Sequence, residues 1–342
     1  MKNKLIVLIL AAIFILSSCK SSNSPSSVDN IRVGTESIAI NFMPDNPPAE
    51  IHVANGADNI PFSVVIDMRN NGAYPQPEDV IGGLGPFGKV YLSGYDPNIL
   101  TFYVQDQNSL SSGDLSRMPL EGKSTINPAG GEDIITFTGT VNSRNLNVNV
   151  YEPVLLATAC FHYETQAGPS LCIDPIPYSD PNTKKVCNAY DIQLSSQGAP
   201  IAVTAIKEEA FAQKTQFKIT VKNVGTGDAI LDDAINKCNP PGNTETGKIE
   251  RTDMDKVKLD EVVISNTALE CSAFAQEPSK GTSGLIRLIN GEGYIICELP
   301  KEKYGNTQSA YTTPIKIKLS YGYRINSQRS LKIIKEGGTS TA

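Results

Sequence analysis

Pro61-Phe-Ser-Val-Val-Ile-Asp-Met-Arg-Asn-Asn-Gly72 decides the reading of this chain, because its pattern occurs twice. The counterpart is Gln216-Phe-Lys-Ile-Thr-Val-Lys-Asn-Val-Gly-Thr-Gly227. In each, an amphipathic segment opens on Phe and runs into an Asn/Gly turn. Phe62, Val64, Ile66 and Met68 alternate with Ser63, Val65, Asp67 and Arg69; Phe217, Ile219 and Val221 alternate with Lys218, Thr220 and Lys222. A period of two places one set on an apolar face and the other toward water, which specifies half-buried antiparallel strands.

The same alternation recurs on either side at Ile38, Ile40 and Phe42, and at Ile315, Ile317, Leu319, Tyr321 and Tyr323. A second match supports the first. Pro153 and Pro314 each start a strand that reaches Tyr163 and Tyr323, and Ser170-Leu-Cys-Ile173 and Ser330-Leu-Lys-Ile333 follow at equal distance. Two matches in the same order at nearly the same spacing read as tandem copies of one unit. Short strands broken by Asn, Gly, Pro and Asp turns are the pattern of β-sandwiches. Helical pattern is confined to Gln76–Leu84 and Asp228–Cys238. The expected fold is therefore all-β: two tandem immunoglobulin-like antiparallel sandwiches with short helical insertions. The first spans residues 33–191 and the second 201–335, joined by a linker at 192–200 and followed by a tail, 336–342.

The N-terminus reads as an export signal. Lys2 and Lys4 precede an unbroken apolar run, Leu5–Leu16, and then Leu16-Ser17-Ser18-Cys19 resembles a lipobox. At about 1.5 Å per residue this run covers roughly 18 Å, too short for a hydrocarbon core of about 30 Å. Residues 1–18 are thus expected to be a lipoprotein signal peptide. Cys19 is the expected lipidation site, because two acyl chains hold a protein stably on a membrane where one does not. Residues 19–32 form a Ser-rich tether. The expected location is the extracytoplasmic side of a cell membrane.

The net charge of −6 leaves no basic stripe for nucleic acid. Of seven cysteines, those beyond Cys19 are even in number, which outside the cytoplasm points to disulfides, with fifteen connectivities open. Cys172 and Cys187 flank a proline-rich loop with no regular periodicity, and closing it would contribute roughly 3 kcal/mol. Cys271 with Cys297, or Cys238 with Cys271, is a further candidate pair. Zinc is disfavoured: there is no C-x-x-C pair and only two histidines.

A Phe-led strand entering an Asn-x-Gly turn, in tandem on an exported chain, resembles the CARDB- and NEW3-type modules of prokaryotic envelope proteins. Phe62, Asn71 and Gly72, with Phe217, Asn223 and Gly225, carry the resemblance. It implies an adhesive or architectural role in the bacterial or archaeal envelope, with other envelope proteins or surface glycans as partners. Each copy is longer than such modules usually are. No Trp exists to fill the core position that antibody-type domains use, and Tyr294 lies three residues before Cys297, one off the tyrosine-corner spacing.

Motifs that mimic chemistry are better read as turns and strand faces. Gly83-Leu-Gly85-Pro-Phe-Gly88-Lys89 satisfies G-x-G-x-x-G, but phosphate binding needs a helix after the loop, and Val90-Tyr-Leu-Ser reads as a strand. No nucleotide is expected. His52 and His162 are the only histidines, and His162 sits within strand alternation beside Tyr163 and Glu164, which marks a strand-face residue rather than a catalyst. Asp96-Pro-Asn98 and Asp180-Pro-Asn182 match Asx-turn chemistry rather than a calcium loop. No cofactor, metal or catalytic residue is assigned, and the expectation is a non-enzymatic protein. The alternative is a lipoprotein that captures glycan or peptide between its two domains.

Overall fold

Both copies of the opening motif are strands in the computed structural model. It describes residues 31–336 except 55, 57–59, 77–78, 80–84, 105–111, 181–183, 240–247, 274–283 and 305–308. In the first half the strands are β1 (Ile38–Phe42), β2 (Glu50–Ala54), β3 (Ile60–Asn70), β4 (Gly88–Ser93), β5 (Leu100–Val104), β6 (Ser112–Asp114), β7 (Glu132–Val141), β8 (Val150–Tyr151), β9 (Val154–Ala167) and β10 (Ser170–Ile173). The second half has β11 (Ile192–Gln193), β12 (Ile201–Ala210), β13 (Lys214–Asn223), β14 (Asp228–Ile230), β15 (Lys256–Ile264), β16 (Thr267–Ala268), β17 (Glu270–Ala273), β18 (Leu285–Arg287), β19 (Glu292–Pro300), β20 (Tyr311–Ser330) and β21 (Lys332–Glu336).

The topology of the two halves is the same. One sheet runs β1-β3-β7-β5, and another runs β11-β12-β13-β19-β17. Lettered by position in each half, both contain the order A-B-E-D, the four-stranded sheet of a constant-type immunoglobulin sandwich. The opposing C-F-G sheet is where they depart from independence. Strand C is β4 or β15 and strand F is β9 or β20, but neither half supplies its own G strand on the free side of F. Instead β9 and β20 pair with each other, so the order β16-β15-β20-β9-β4-β6 is one continuous sheet across both halves. Each F strand occupies the place of the other half's G.

The β9–β20 pairing is long and in register. It starts at Val154 opposite Ser330 and reaches Ala167 opposite Ile317. After Gly168 and Pro169, β10 continues the same register from Ser170 opposite Pro314 to Ile173 opposite Tyr311. At its centre His162 faces Gly322, with Tyr163 opposite Tyr321 and Phe161 opposite Tyr323. Because side chains alternate across a strand, these four aromatics share one face and His162 the other. A local two-fold relation between halves thus passes near His162 and Gly322.

These four rings are buried and pack edge-on or tilted, with centroids 6.0–6.3 Å apart. A single apolar cluster extends from Ile38, Val64 and Phe137 in the first half to Phe217, Ile219 and Leu319 in the second. All described residues accordingly belong to one compact unit.

Two local expectations change. Asp228–Cys238 is not one helical stretch: Asp228–Ile230 is strand β14, paired with Arg324–Gly322, and only Asp232–Lys237 is helical, as a 3-10 helix. The β20 edge offers Asp228–Ile230 backbone partners, and Ile230 and Ile235 then fill the space over Gly322 that a side chain would occupy. The segment at 192–200 is more than a linker, since Ile192 and Gln193 pair with Ile206 and Ala205. Most of Gln76–Leu84 lies outside the described residues.

Candidate interaction surface

The Asn/Gly turns sit where the two halves meet. Asn70 is fully buried; its amide donates to the carbonyls of Tyr74 (2.7 Å) and Leu120 (2.8 Å), and its Oδ1 accepts from Gly72 N–H (3.1 Å). Asn223 repeats the pattern, donating to Gly227 O (2.8 Å) and accepting from Gly225 N–H (3.2 Å). Tyr163 OH approaches Asn70 Oδ1 at 3.5 Å, and Tyr323 OH approaches Asn223 Oδ1 at 3.2 Å. The equivalent of Asn223 is therefore Asn70, not the Asn71 that the sequence motif suggests.

On the opposite face an ionic cluster ties the halves together. His162 Nδ1 donates to Asp232 Oδ1 at 2.5 Å, and its Nε2 lies 3.6 Å from Glu164 Oε1. Glu164 Oε2 lies 2.9 Å from Lys318 Nζ. Burial alone would lower the imidazole's pKa, but hydrogen bonds and charge from Asp232 and Glu164 outweigh it and raise it to about 9. His162 is a charged strand-face residue, and Tyr74 packs against its ring with centroids 5.5 Å apart.

Three disulfides pin the structure. Cys172 is joined to Cys187, and Cys271 to Cys297 directly across β17 and β19. Cys238 is joined to Cys160, which links β9 to the helix end in the other half, so the Cys238–Cys271 pairing is not formed. Cys19 lies outside the described residues.

The Cys172–Cys187 loop carries large exposed side chains. Along it and just beyond it, Tyr178 is 75% exposed, Val186 80% and Tyr190 60%. The loop is anchored from beneath. Lys185 Nζ meets buried Asp174 at 2.6 Å and Ile176 O at 3.1 Å, so the strap is held by charge as well as by sulfur. Buried Glu208 on β12 accepts from Cys172 N–H at 3.4 Å. Burial raises the Glu208 carboxyl to about 7, the Cys172 N–H opposes this, and the charge of Asp174 adds to it.

Two cavities lie at the junction of the halves. One of about 430 Å³ is lined by Ser93 and Leu156 from the first half and by Lys237, Asn239 and Arg324 from the second. The other, of about 240 Å³, runs along β1.

No protein-family model and no characterised protein sequence matches the chain.

The remaining sequence candidates fall as follows. Gly88 and Lys89 open β4, so a strand follows the glycine-rich stretch, whose Gly83 lies outside the described residues. Asp96 Oδ1 accepts from Asn98 N–H at 2.9 Å, the geometry of an Asx turn. Pro181 and Asn182 lie outside the described residues. His52 is exposed on β2, 3.8 Å from Glu50 and from Glu336. Among the described residues no group of three or more His, Cys, Asp or Glu is arranged so that it could hold a metal ion. Sequence reasoning missed Glu208, Asp232 and Cys160–Cys238. Only Glu208 left a trace, an acidic residue at an inward position of the β12 alternation.

Proposed function

We propose that this chain is a lipid-anchored envelope protein with a structural or adhesive role, held to the membrane through Cys19 and acting by protein–protein contact rather than turnover. The observation that carries the reading is the stapled loop. Tyr178, Val186 and Tyr190 are presented to solvent on a segment fixed by Cys172–Cys187 and by Lys185–Asp174. Exposed tyrosines are what interface centres use, because ordering them costs little entropy. The resemblance of both halves to CARDB- and NEW3-type modules is part of the same proposal.

The test is photo-crosslinking in native membranes from a probe at position 178, with exposed Ile134 as control. Discrete adducts from position 178 alone are expected, with an N-terminal peptide beginning at diacylglyceryl-modified Cys19. Equal adducts from both positions, or retained residues 1–18, would contradict the proposal.

A second reading is favoured by the 430 Å³ cavity, which draws Lys237, Arg324, Ser93 and Thr158 to the seam between halves. A glycan or peptide held there would raise Tm saturably, and the shift would disappear on Lys248→Glu at the cavity wall.

A further inference from the structure

The two halves treat their A-strand edges differently. Ser37 O accepts from Asn71 N–H, and Met43 N–H donates to Val65 O, each at 2.9 Å. Antiparallel pairing alternates, so residues 37, 39, 41 and 43 spend their backbone groups on β3 and Ile38 and Ile40 turn theirs to the free edge. In the second half Ile201 stands opposite Asn223 as Ile38 stands opposite Asn70, which makes Val203 the twin of Ile40.

The twin edge is occupied from within. Gln197 Oε1 accepts from Val203 N–H at 2.9 Å while its Nε2 donates to Val203 O at 3.0 Å. A primary carboxamide thus makes the two hydrogen bonds that the backbone of an added strand would make. Thr165 Oγ1 completes the edge by donating to Ile201 O at 2.6 Å. Further along, β11 is an added strand in fact. In the first half Gly34 stands at the position of Gln197 and Ile325 at that of Thr165, so neither can supply the bond. The place is instead the 240 Å³ cavity between β1, the Val224–Thr226 turn and the side chains of Tyr323 and Ile325.

We infer that this groove binds an extended peptide segment of a partner protein by strand addition. A peptide group of the partner takes on Ile40 the place that the Gln197 carboxamide takes on Val203, and an adjoining apolar side chain enters the cavity. Main-chain pairing supplies the affinity and the cavity supplies the preference. The inference is independent of membrane anchoring and of the stapled loop.

The test uses the end-capped hexapeptide acetyl-Thr-Val-Thr-Val-Thr-Val-amide and the same peptide with Pro at its centre. Amide NMR and hydrogen exchange on the whole chain are the readouts. The first peptide is expected to shift and protect the Ile38 and Ile40 amides while leaving Val203 unchanged. The Pro peptide is expected to bind at least about tenfold more weakly, since it lacks a donor. Thr226→Trp, an exposed change at the cavity wall, is expected to weaken binding by a similar factor with Tm unaltered. Equal affinity for both peptides, or no effect of Thr226→Trp, would overturn the inference. So would a concentration-dependent dimer abolished by Thr226→Trp, which would assign the edge to a second copy of this chain.

Discussion

Asn70 and Asn223 hold equivalent turns in unequal surroundings. Asn70 is fully buried and donates to two carbonyls, whereas Asn223 is partly exposed and water can replace its bonds. Removing a buried partner leaves its mates unsatisfied. Asn70→Ala is therefore expected to cost about 2–4 kcal/mol in urea unfolding, and Asn223→Ala about half that. Glu208 and His162 set the pH dependence. The Glu208 carboxyl is raised to about 7, so the folded chain holds its proton above the usual 4.5. Its contribution is present below pH 4.5 and lost as pH rises to 7, so Glu208→Gln is expected to stabilise by about 1–3 kcal/mol at pH 8 and to flatten that slope. His162, raised to about 9, stabilises below pH 6.5 and loses this through pH 9. His162→Gln is expected to lower stability at pH 6 by about 1–3 kcal/mol and to leave pH 10 little changed. Denaturant midpoints against pH check both signs.

At the scale of elements, the long β9–β20 ladder depends on what lies over its centre. A Cβ on Gly322 would come within 2.7 Å of Ile230 and 2.9 Å of Ile235. Gly322→Val is expected to cost about 1–3 kcal/mol and to displace the Asp232–Lys237 turn from His162, which a lowered imidazole pKa by NMR would report. The strands themselves are legible in the amino-acid sequence. Period-two alternation locates β1, β3, β13 and β20, and the repeated Phe-led motif identifies two copies of one topology. The loss of independence between copies is not legible there, because strand pairing is set by edges and no local pattern records which edge a strand will meet. The loop at Cys172–Cys187 shows its prolines and flanking cysteines in the sequence, whereas Asp174 and Glu208 beneath it are brought together only by the meeting of β10 with β12. Asp232 escapes a sequence reading because it meets His162 across seventy residues of chain.

At the scale of the molecule, two sandwich halves complete one another. Each lends its F strand to the other's incomplete sheet, a shared apolar cluster continues through the seam, and Cys160–Cys238 bridges it. Neither half has a closed core alone, so the folding unit is the pair. Such fusion gives a rigid body whose loops keep fixed relative positions, as two sandwiches on a flexible linker would not. Scanning calorimetry of the whole chain tests this most directly. A single transition is predicted, with the calorimetric enthalpy equal to the van't Hoff enthalpy. Two resolved transitions, each matching the isolated half 33–191 or 201–335, would contradict it.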